Sequence, residues 1–202
     1  MRRSQDRDSF LRYRAGRMDQ NQEREIIKRV EKGERDAYAL LIEAYKGPVF
    51  NLAFRMTGSY SDADDLTQEI FIRAYQNLHQ FDQDKKFFTW LYTLGINLIR
   101  NHLKKKAKDV EHHTTNHQFP EPQTKGDESR EGDFPSEESM RRLDENMQKL
   151  PVDLREAIIL KFYQDLTFEE IAAITGDSMS AVKMRVYRGL EKLKQLMEVR
   201  KL

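Results

Sequence analysis

Aromatic and basic side chains are interleaved between residues 81 and 106 in a pattern suited to nucleic acid. Bases stack on aromatic rings while lysine and arginine neutralise phosphates, so capture of a single strand needs both kinds of group. The segment supplies both, together with asparagines that a helix would turn outward. The candidate residues are Phe81, Lys85, Lys86, Phe88, Trp90, Asn97, Arg100, Asn101 and Lys104. The alternative is that the rings form a hydrophobic core, which we expect for Phe87 and leave open for Trp90.

A second candidate nucleic-acid site lies near the C-terminus. A short predicted helix over residues 167–174, a break at Thr175-Gly176 and a longer basic helix from Met179 make the helix-turn-helix pattern. The second helix would turn Val182, Val186, Leu190 and Leu193 toward the core. Its candidate DNA-facing residues are Ser180, Lys183, Met184, Arg185, Tyr187 and Arg188.

The sequence contains few of the residue patterns that form a catalytic or metal site. It has no phosphate-binding glycine-rich loop, no nucleophile with a base at a recognisable spacing, and no cysteine. His112, His113 and His117 lie in an acidic tract without cysteine, which argues against a metal site. We therefore expect no enzyme activity, no cofactor and no metal. No run of 18 apolar residues and no secretory signal is present, so we expect a cytoplasmic protein.

The charges nearly cancel overall but are strongly segregated along the chain. The 202 residues carry 35 Lys and Arg against 34 Asp and Glu, a net charge of +1. Residues 1–17 have a net charge of +4, and residues 85–108 contain seven basic residues and no acid. Residues 109–138 have a net charge of −7, and residues 179–201 of +5. Two basic blocks separated by an acidic stretch predict two polyanion-binding units with a spacer.

Apolar periodicity predicts an all-α chain with two small domains, an N-terminal helical bundle and a C-terminal helix-turn-helix. The stretch between them has too few apolar residues to offset its ordering entropy, so it reads as a flexible acidic linker. The predicted boundaries are 1–22 for a disordered basic arm, 23–106 for the bundle, 107–137 for the linker and 138–202 for the helix-turn-helix domain.

Local signals predict where the helices begin and end. In the bundle we expect helices over about 23–32, 35–45, 49–56, 61–78 and 87–106, with a break at Gly47-Pro48 and an N-cap at Ser61. In the second domain we expect helices over 138–150, 152–163, 167–174 and 179–200. Thr167 with Glu170 would form a capping box, and Ser178 would cap the last helix.

Five stretches resemble bacterial extracytoplasmic-function (ECF) sigma factors of the sigma-70 family. In the first domain they are residues 62–75 (DADDLTQEIFIRAY) and 88–92 (FTWLY). In the second they are residues 150–157 (LPVDLREA), 166–171 (LTFEEI) and 181–189 (AVKMRVYRG). The resemblance implies domains of the region 2 and region 4 types. It also implies a subunit that binds core RNA polymerase, directs it to promoters bearing −35 and −10 elements, and assists promoter melting.

The resemblance assigns partners to the two domains. It implies that the acidic helix docks on the clamp helices of the polymerase β′ subunit, and that the second domain meets the β flap. The residues concerned in the acidic helix are Asp62, Asp65, Gln68, Glu69 and Arg73. The alternative reason for acids there is the helix dipole. An anti-sigma factor is a further implied partner, and if membrane-bound it would hold the protein near the inner membrane.

The resemblance also assigns DNA contacts. The loop from His79 to Lys86 would take a flipped −10 base, and the helix that follows would support the melted strand. In the second domain, Lys183 or Arg188 can read guanine and Tyr187 can touch a thymine methyl or a phosphate, whereas Arg185 holds phosphate alone.

The chain departs from the family pattern in the helix-turn-helix. Asp177 stands where an apolar residue is usual, residues 179–181 (MSA) replace an aliphatic-Gly-Thr sequence, and Met184 stands where a small polar residue is common. The preferred −35 sequence therefore does not follow from relatives. The arginine-rich residues 1–17 are also unusual: either translation starts at Met18, or the arm touches DNA or another partner.

Two other functions are compatible with parts of the sequence. A helix-turn-helix transcription regulator would bind duplex DNA without polymerase, as a symmetric dimer on paired half-sites. A polymerase-binding decoy would bind a partner without promoter specificity. The regulator leaves the acidic helix and the aromatic loop unexplained, and the decoy leaves Lys183 and Arg188 without a role.

Overall fold

A computed structural model describes residues 18–112 and 137–198, and within these ranges every regular element is helical. Helix α1 spans Gln20–Glu31, α2 Tyr38–Thr57, α3 Tyr60–Gln76 and α4 Phe87–His112. In the second range, α5 spans Glu137–Gln148, α6 Val152–Ile158, α7 Phe168–Thr175 and α8 Met179–Glu198. Short 3-10 turns cover Arg35–Ala37 and Leu78–Gln80, and a π-helical turn over Ile159–Tyr163 continues α6. The predicted all-α class is confirmed.

Helix α2 is continuous through Pro48, where the sequence predicted a break. A proline removes one backbone donor and costs about 3 kcal/mol in a helix interior. The buried residues nevertheless keep a spacing of three or four across it. They are Leu41, Tyr45, Val49, Leu52 and Met56, each at most 1% exposed. Burying a large apolar side chain contributes about 1.5–3 kcal/mol, so this stripe outweighs the lost hydrogen bond and the prediction of two helices is wrong.

Side-chain caps begin several of the other helices. Ser59, not the predicted Ser61, caps α3, and its Oγ accepts a hydrogen bond from the Asp62 amide at 3.2 Å. Thr167 and Glu170 form the predicted capping box of α7. Ser178 caps α8 as predicted, with its Oγ 3.2 Å from the Ala181 amide. Each cap supplies an acceptor for an amide that has no partner inside the helix.

The helices extend past two of the predicted domain boundaries. α1 begins at Gln20, inside the predicted arm, because Asp19 and Gln22 form a capping box there. α4 continues to His112, six residues into the predicted linker 107–137. Helix-forming lysines surround Lys106 and no Gly or Pro follows before Pro120, so nothing local ends the helix earlier.

Several segments for which the sequence predicted a structure or a role lie outside the described ranges. These are most of the basic arm, the rest of the linker with His113 and His117, and the last four residues. Between residues 18–112 and 137–198, no cluster of three His, Asp or Glu side chains is placed to hold a metal ion. None of the helices described is long and apolar enough to cross a membrane.

The two helical domains share one continuous hydrophobic core. Helix α2 contacts α5, α6 and the π-helical turn, and α4 contacts α7. The fully buried side chains that meet there come from both domains and include Met56, Ile159, Leu160 and Leu166. The second domain therefore covers these faces of α2 and α4 and excludes solvent from them.

Arg155 joins the domains through backbone carbonyls. The residue is 7% exposed, and its guanidinium donates to the Met56 carbonyl at 2.5 Å, in the last turn of α2. It also donates to the carbonyls of Gln148 at 2.8 Å and Leu150 at 3.1 Å, where α5 ends. The last carbonyls of a helix lack partners inside the helix and carry partial negative charge. Arg155 therefore caps the C-terminus of one helix from each domain.

We predict that Arg155→Met destabilises the protein. The change keeps most of the side-chain volume but leaves buried carbonyls without donors, at about 1–3 kcal/mol per unsatisfied group, so the free energy of unfolding should fall by about 2–4 kcal/mol. Urea unfolding followed by circular dichroism measures this. Arg188→Met, at an exposed position of α8, is the matched control. A loss no larger than that of the control would contradict the capping role.

Candidate nucleic-acid interface

Asp62, the first acid of the predicted docking set, ties α3 to the end of α4. Its Oδ2 lies 2.7 Å from Lys106 Nζ and 3.4 Å from His102 Nε2. Burial acts to raise the pKa of Asp62, but Lys106 and His102 outweigh burial and the pKa is lowered. The carboxylate is thus engaged within the domain, which gives Asp62 a structural role in this arrangement.

The other predicted docking residues lie along the outer face of α3. Asp65 and Gln68 are exposed, and Glu69 pairs with Arg73 at 2.5 Å. Two apolar side chains that the sequence interpretation missed lie on the same helix, Ile72 at 52% and Tyr75 at 39% exposed. Their signal in the sequence is that both fall outside the buried stripe of Ala63, Leu66, Ile70 and Ala74. The outer face of α3 therefore combines acids with exposed apolar surface.

The aromatic candidates lie mostly in the core. Phe81 and Phe88 are only 7% and 5% exposed. The Phe81 ring contacts Trp90 at 5.3 Å and Phe87 at 5.6 Å between centroids, and Phe88 contacts the buried Tyr92 at 4.2 Å. Trp90 is half-buried. Of the three predicted stacking rings, only Trp90 keeps an appreciable exposed surface, and Phe87 is in the core as expected.

The polar candidates around these rings are accessible. Lys85 and Lys86 are exposed in the loop before α4. Asn97, Asn101 and Lys104 are exposed along α4, and their spacing of four and three places them on one face. They form a polar and positively charged strip beside Trp90.

Glu23, which the sequence interpretation missed, supports the start of α4. It is 3% exposed, and its carboxylate accepts hydrogen bonds from the Tyr45 hydroxyl and, at 3.3 Å, from the Phe87 amide. Burial raises the pKa of Glu23, and the two donors oppose that shift. With Lys86 and Phe88 it lines a cleft of about 300 Å³. Its signal in the sequence is a position three residues before Ile26, on the buried face of α1.

Arg100 is held by the second domain. Its Nε and Nη2 each lie 2.7 Å from an oxygen of the Glu156 carboxylate, in a bidentate ion pair. Glu156 is 1% exposed; burial raises its pKa and Arg100 opposes the shift. The edge of the guanidinium that fits a phosphate is therefore already occupied.

Other polar contacts cross the same junction. The Tyr92 hydroxyl donates to Gln164 Oε1 at 2.7 Å, and both side chains are buried. Lys86 Nζ lies 3.2 Å from Glu170 Oε1 on α7. The Arg55 guanidinium lies 3.7 Å from the centre of the Tyr163 ring. Lys86, Tyr92 and Arg100 thus contact the second domain, whereas Lys85 and the strip of Asn97, Asn101 and Lys104 remain exposed.

The helix-turn-helix presents most of its predicted residues to solvent. α7 ends at Thr175 and is capped by Gly176, whose φ of 74° is the left-handed conformation that favours glycine. The exposed residues of α8 include Ser180, Lys183, Met184, Tyr187 and Arg188. Leu190, predicted to face the core, is 38% exposed. Gly189 is buried instead, and its close packing leaves no room for a side chain, since a β-carbon there would lie 2.8 Å from Ile158 Cδ1.

Arg185 is the exception on this helix. It is half-buried, and its guanidinium donates to both carboxylate oxygens of Asp177 in the turn, one of them at 3.0 Å. The hydrogen bond from Arg185 lowers the pKa of Asp177. Arg185, which the sequence predicted to contact a phosphate, is thus paired with an acid of its own domain.

Two family models match the chain, one in each domain. Residues 41–109 match Sigma-70 region 2, and residues 140–193 match Sigma-70, region 4. The matched segments contain the outer face of α3, the loop before α4 and the exposed face of α8.

Similar proteins cover most of the chain. The ECF RNA polymerase sigma factor SigW of Bacillus subtilis is 34% identical over 84% of this chain and 93% of its own length. The RNA polymerase sigma-H factor of Pseudomonas aeruginosa is 30% identical over 89% of this chain and 95% of its own length. The ECF RNA polymerase sigma-E factor of Escherichia coli K12 is 33% identical over 82% of this chain and 89% of its own length.

Solved structures share the fold. CnrH, in complex with the cytosolic domain of CnrY, aligns with a TM-score of 0.64 at 25% identity, over 89% of this chain and 99% of CnrH. The sigma factor RpoE from Bartonella quintana, in complex with the anti-sigma factor NepR, aligns with a TM-score of 0.63 at 21% identity, over 81% and 98%.

We predict that Glu156→Gln loosens the junction between the domains. A hydrogen bond to a charged group contributes about 1.5–3 kcal/mol, so the ratio of packed to separated domains should fall roughly 10- to 150-fold. The chain has no cysteine, so dyes can be placed on Gln76→Cys and Glu191→Cys and energy transfer measured between them. Glu169→Gln, at an exposed position of α7, is the control. Equal energy transfer in Glu156→Gln and Glu169→Gln would show that the ion pair of Arg100 with Glu156 does not hold the domains together.

Proposed function

Because the chain belongs to the extracytoplasmic-function sigma factors of the sigma-70 family, we propose that it binds core RNA polymerase and directs promoter-specific initiation of transcription. It would do so by recognising −35 and −10 elements and by assisting promoter melting. What supports this most is the joint presence, in the family's order, of a region 2 domain with an exposed acidic face and a region 4 domain with an exposed basic helix.

The outer face of α3 is the proposed site for the β′ clamp helices. Asp65, Gln68, Glu69 and Arg73 would supply polar contacts, and Ile72 would supply apolar contact area. Apolar side chains framed by charges are typical of protein interfaces, where charges set specificity and association rate. Asp62 would act indirectly, by fixing α3 against α4. We place the β flap contact on the second domain.

The loop before α4 and the outer face of α4 are the proposed −10 site. Lys85, Lys86 and Lys104 would neutralise phosphates, Asn97 and Asn101 would contact the backbone or base edges, and the exposed part of Trp90 would support an unstacked base. Phe81 and Phe88, being buried, would shape the loop from beneath rather than stack on bases.

The exposed part of α8 is the proposed −35 reader. The N-terminal residues of a recognition helix reach base edges in the major groove. Lys183 and Arg188 can donate to guanine, Tyr187 and Met184 can contact thymine methyls, and Ser180 can bind a phosphate.

The packed arrangement of the two domains constrains when these sites can act. Elements at −35 and −10 are nominally about 25 base pairs apart, roughly 85 Å at about 3.4 Å per pair. Domains joined by Arg100 and Glu156 cannot reach both elements at once. We infer that the domains separate when the protein engages polymerase and promoter, and that separation frees Arg100 for the −10 site.

Family membership also makes an anti-sigma factor an expected partner, covering polymerase-binding faces of both domains. With core polymerase and promoter DNA as partners, the protein would act in the cytoplasm, beside the inner membrane if its anti-sigma factor is membrane-bound. It would contribute binding energy and position, while the polymerase performs the chemistry.

We predict that Asp65→Arg combined with Glu69→Arg weakens binding to core polymerase by roughly 100-fold or more, because like-charge contacts cost several kcal/mol. Fluorescence titration of the labelled protein with core polymerase measures this, and circular dichroism checks the fold. Glu25→Arg with Asp36→Arg makes the same charge change at exposed positions away from α3 and should leave the affinity unaltered. Unchanged affinity in the α3 variant would remove the docking assignment.

We predict that Lys183→Ala combined with Arg188→Ala lowers run-off transcription from −35-containing promoters roughly 30-fold or more, at about 1–3 kcal/mol per base contact. Lys192→Ala with Lys194→Ala, exposed on the same helix beyond the recognition segment, is the control. Core polymerase without added protein should give no such transcripts, and the control variant should give as many as the unsubstituted protein. Core binding without transcripts would indicate a decoy, and DNA binding without core binding would indicate a stand-alone regulator.

A further inference from the structure

We propose that Asp177 is a specificity-determining residue that acts through Arg185, by holding this arginine away from DNA. The proposal rests on the proposed role of α8 as the −35 reader. It makes Asp177 a positioning residue of the helix-turn-helix and leaves readout to the exposed residues of α8 around Arg185. The sequence alone had assigned Arg185 to a phosphate, which is the contact that this geometry withholds.

The contacts of Arg185 carry the proposal. Two guanidinium nitrogens donate to the two oxygens of Asp177, a planar two-point contact that fixes direction as well as distance. Asp153 Oδ2, on α6, lies 3.8 Å from Arg185 Nε. The side chains of Arg185 and Asp177 keep only 29% and 24% of their surfaces exposed. Four neighbours on the same helix, Lys183, Met184, Tyr187 and Arg188, are by contrast open to solvent.

Asp177 occupies a position in the turn from which it can hold Arg185. It follows Gly176, the left-handed residue that caps α7, and precedes the N-cap Ser178 of α8. The ion pair therefore links the turn to the second turn of α8. Because an arginine–carboxylate fork resists rotation, the pair holds the Arg185 guanidinium against the turn and away from the exposed face of α8.

The surrounding acids also determine what Arg185 can bind. Asp177 and Asp153 both face its guanidinium, and the charge of Glu156 acts on it as well. A DNA phosphate that approached Arg185 would have to displace one carboxylate and lie close to the others, and like charges brought together are unfavourable. The acids thus exclude a sequence-independent phosphate contact, which would raise affinity for every DNA equally.

The proposal predicts a specific effect of releasing Arg185. In Asp177→Asn the side chain keeps its shape and loses its charge, so Arg185 becomes available to a phosphate. One added phosphate contact should steepen the dependence of log affinity on log salt concentration by about 0.9. Affinity for unrelated DNA should rise severalfold, and preference among −35 sequences should relax.

The test uses holoenzyme reconstituted from the full chain and core polymerase. A promoter library randomised over the −35 hexamer gives the base preference from transcript counts. Salt titrations of binding to a −35 duplex from the best promoter, and to a random-sequence duplex, give the slopes. The variants are Asp177→Asn, Arg185→Ala and the double variant, with Asp177→Glu as the conservative change that keeps the charge.

The expected pattern is distinct from that of a purely structural pair. Arg185→Ala should keep the slope and the base preference of the unsubstituted protein, even if it lowers affinity by loosening the turn. Asp177→Asn should steepen the slope, the double variant should restore it, and Asp177→Glu should leave it near its original value. If Asp177→Asn does not fold, Arg185→Lys gives the same test, because lysine cannot form the fork and should steepen the slope in part.

Two results would overturn the proposal. A slope reduced by about 0.9 in Arg185→Ala, or a preference lost at one base, would mean that Arg185 already touches DNA. An unchanged slope and preference in the folded Asp177→Asn variant would mean that Asp177 restrains nothing. Lys183→Ala with Arg188→Ala, run in parallel, separates these outcomes from failure of the proposed −35 role, since that pair must lose −35 dependence if α8 is the reader.

Discussion

The guanidinium of Arg155 is the contact on which the arrangement of the two domains depends. Among residues 18–112 and 137–198, its hydrogen-bond acceptors are carbonyls at the ends of α2 and α5 and the amide oxygen of Gln148, and no carboxylate. The partial charges of two helix termini thus stabilise a buried cation. This geometry also places the next residue, Glu156, against Arg100 of α4. Successive residues of α6 therefore engage two different helices of the first domain.

That arrangement divides the basic residues into two classes. Arg100 and Arg185 are held by carboxylates and partly buried, whereas Lys183 and Arg188 remain exposed. A charge withdrawn from water needs close groups of opposite full or partial charge; carbonyl oxygens serve Arg155, and each arginine in the first class is matched by an acid. The cations that can meet DNA without rearrangement are consequently those that lie outside the domain junction and outside the turn of the helix-turn-helix.

Local sequence signals predicted much of the fold because they act within one helical turn. The Thr167–Glu170 capping box and the Ser178 cap connect residues only three apart, and both are present as predicted. The failures have a different origin. Pro48 is a strong local breaker, yet α2 continues through it because its buried stripe packs against other helices. Leu190 follows the apolar periodicity, yet it is 38% exposed, and the neighbouring Gly189 packs closely against Ile158.

The sequence by itself determined the all-helical class, the pairing of a helical bundle with a helix-turn-helix, and the family motifs that mark the candidate surfaces. These depend on residue type and on spacings of three or four. Only the tertiary structure decided which candidates are available. Arg100 and Glu156 are 56 residues apart, Lys106 and Asp62 are 44 apart, and the buried Phe88 contacts Tyr45 of α2. Periodicity reports which face of a helix is apolar, but not which charged group of another helix will lie opposite.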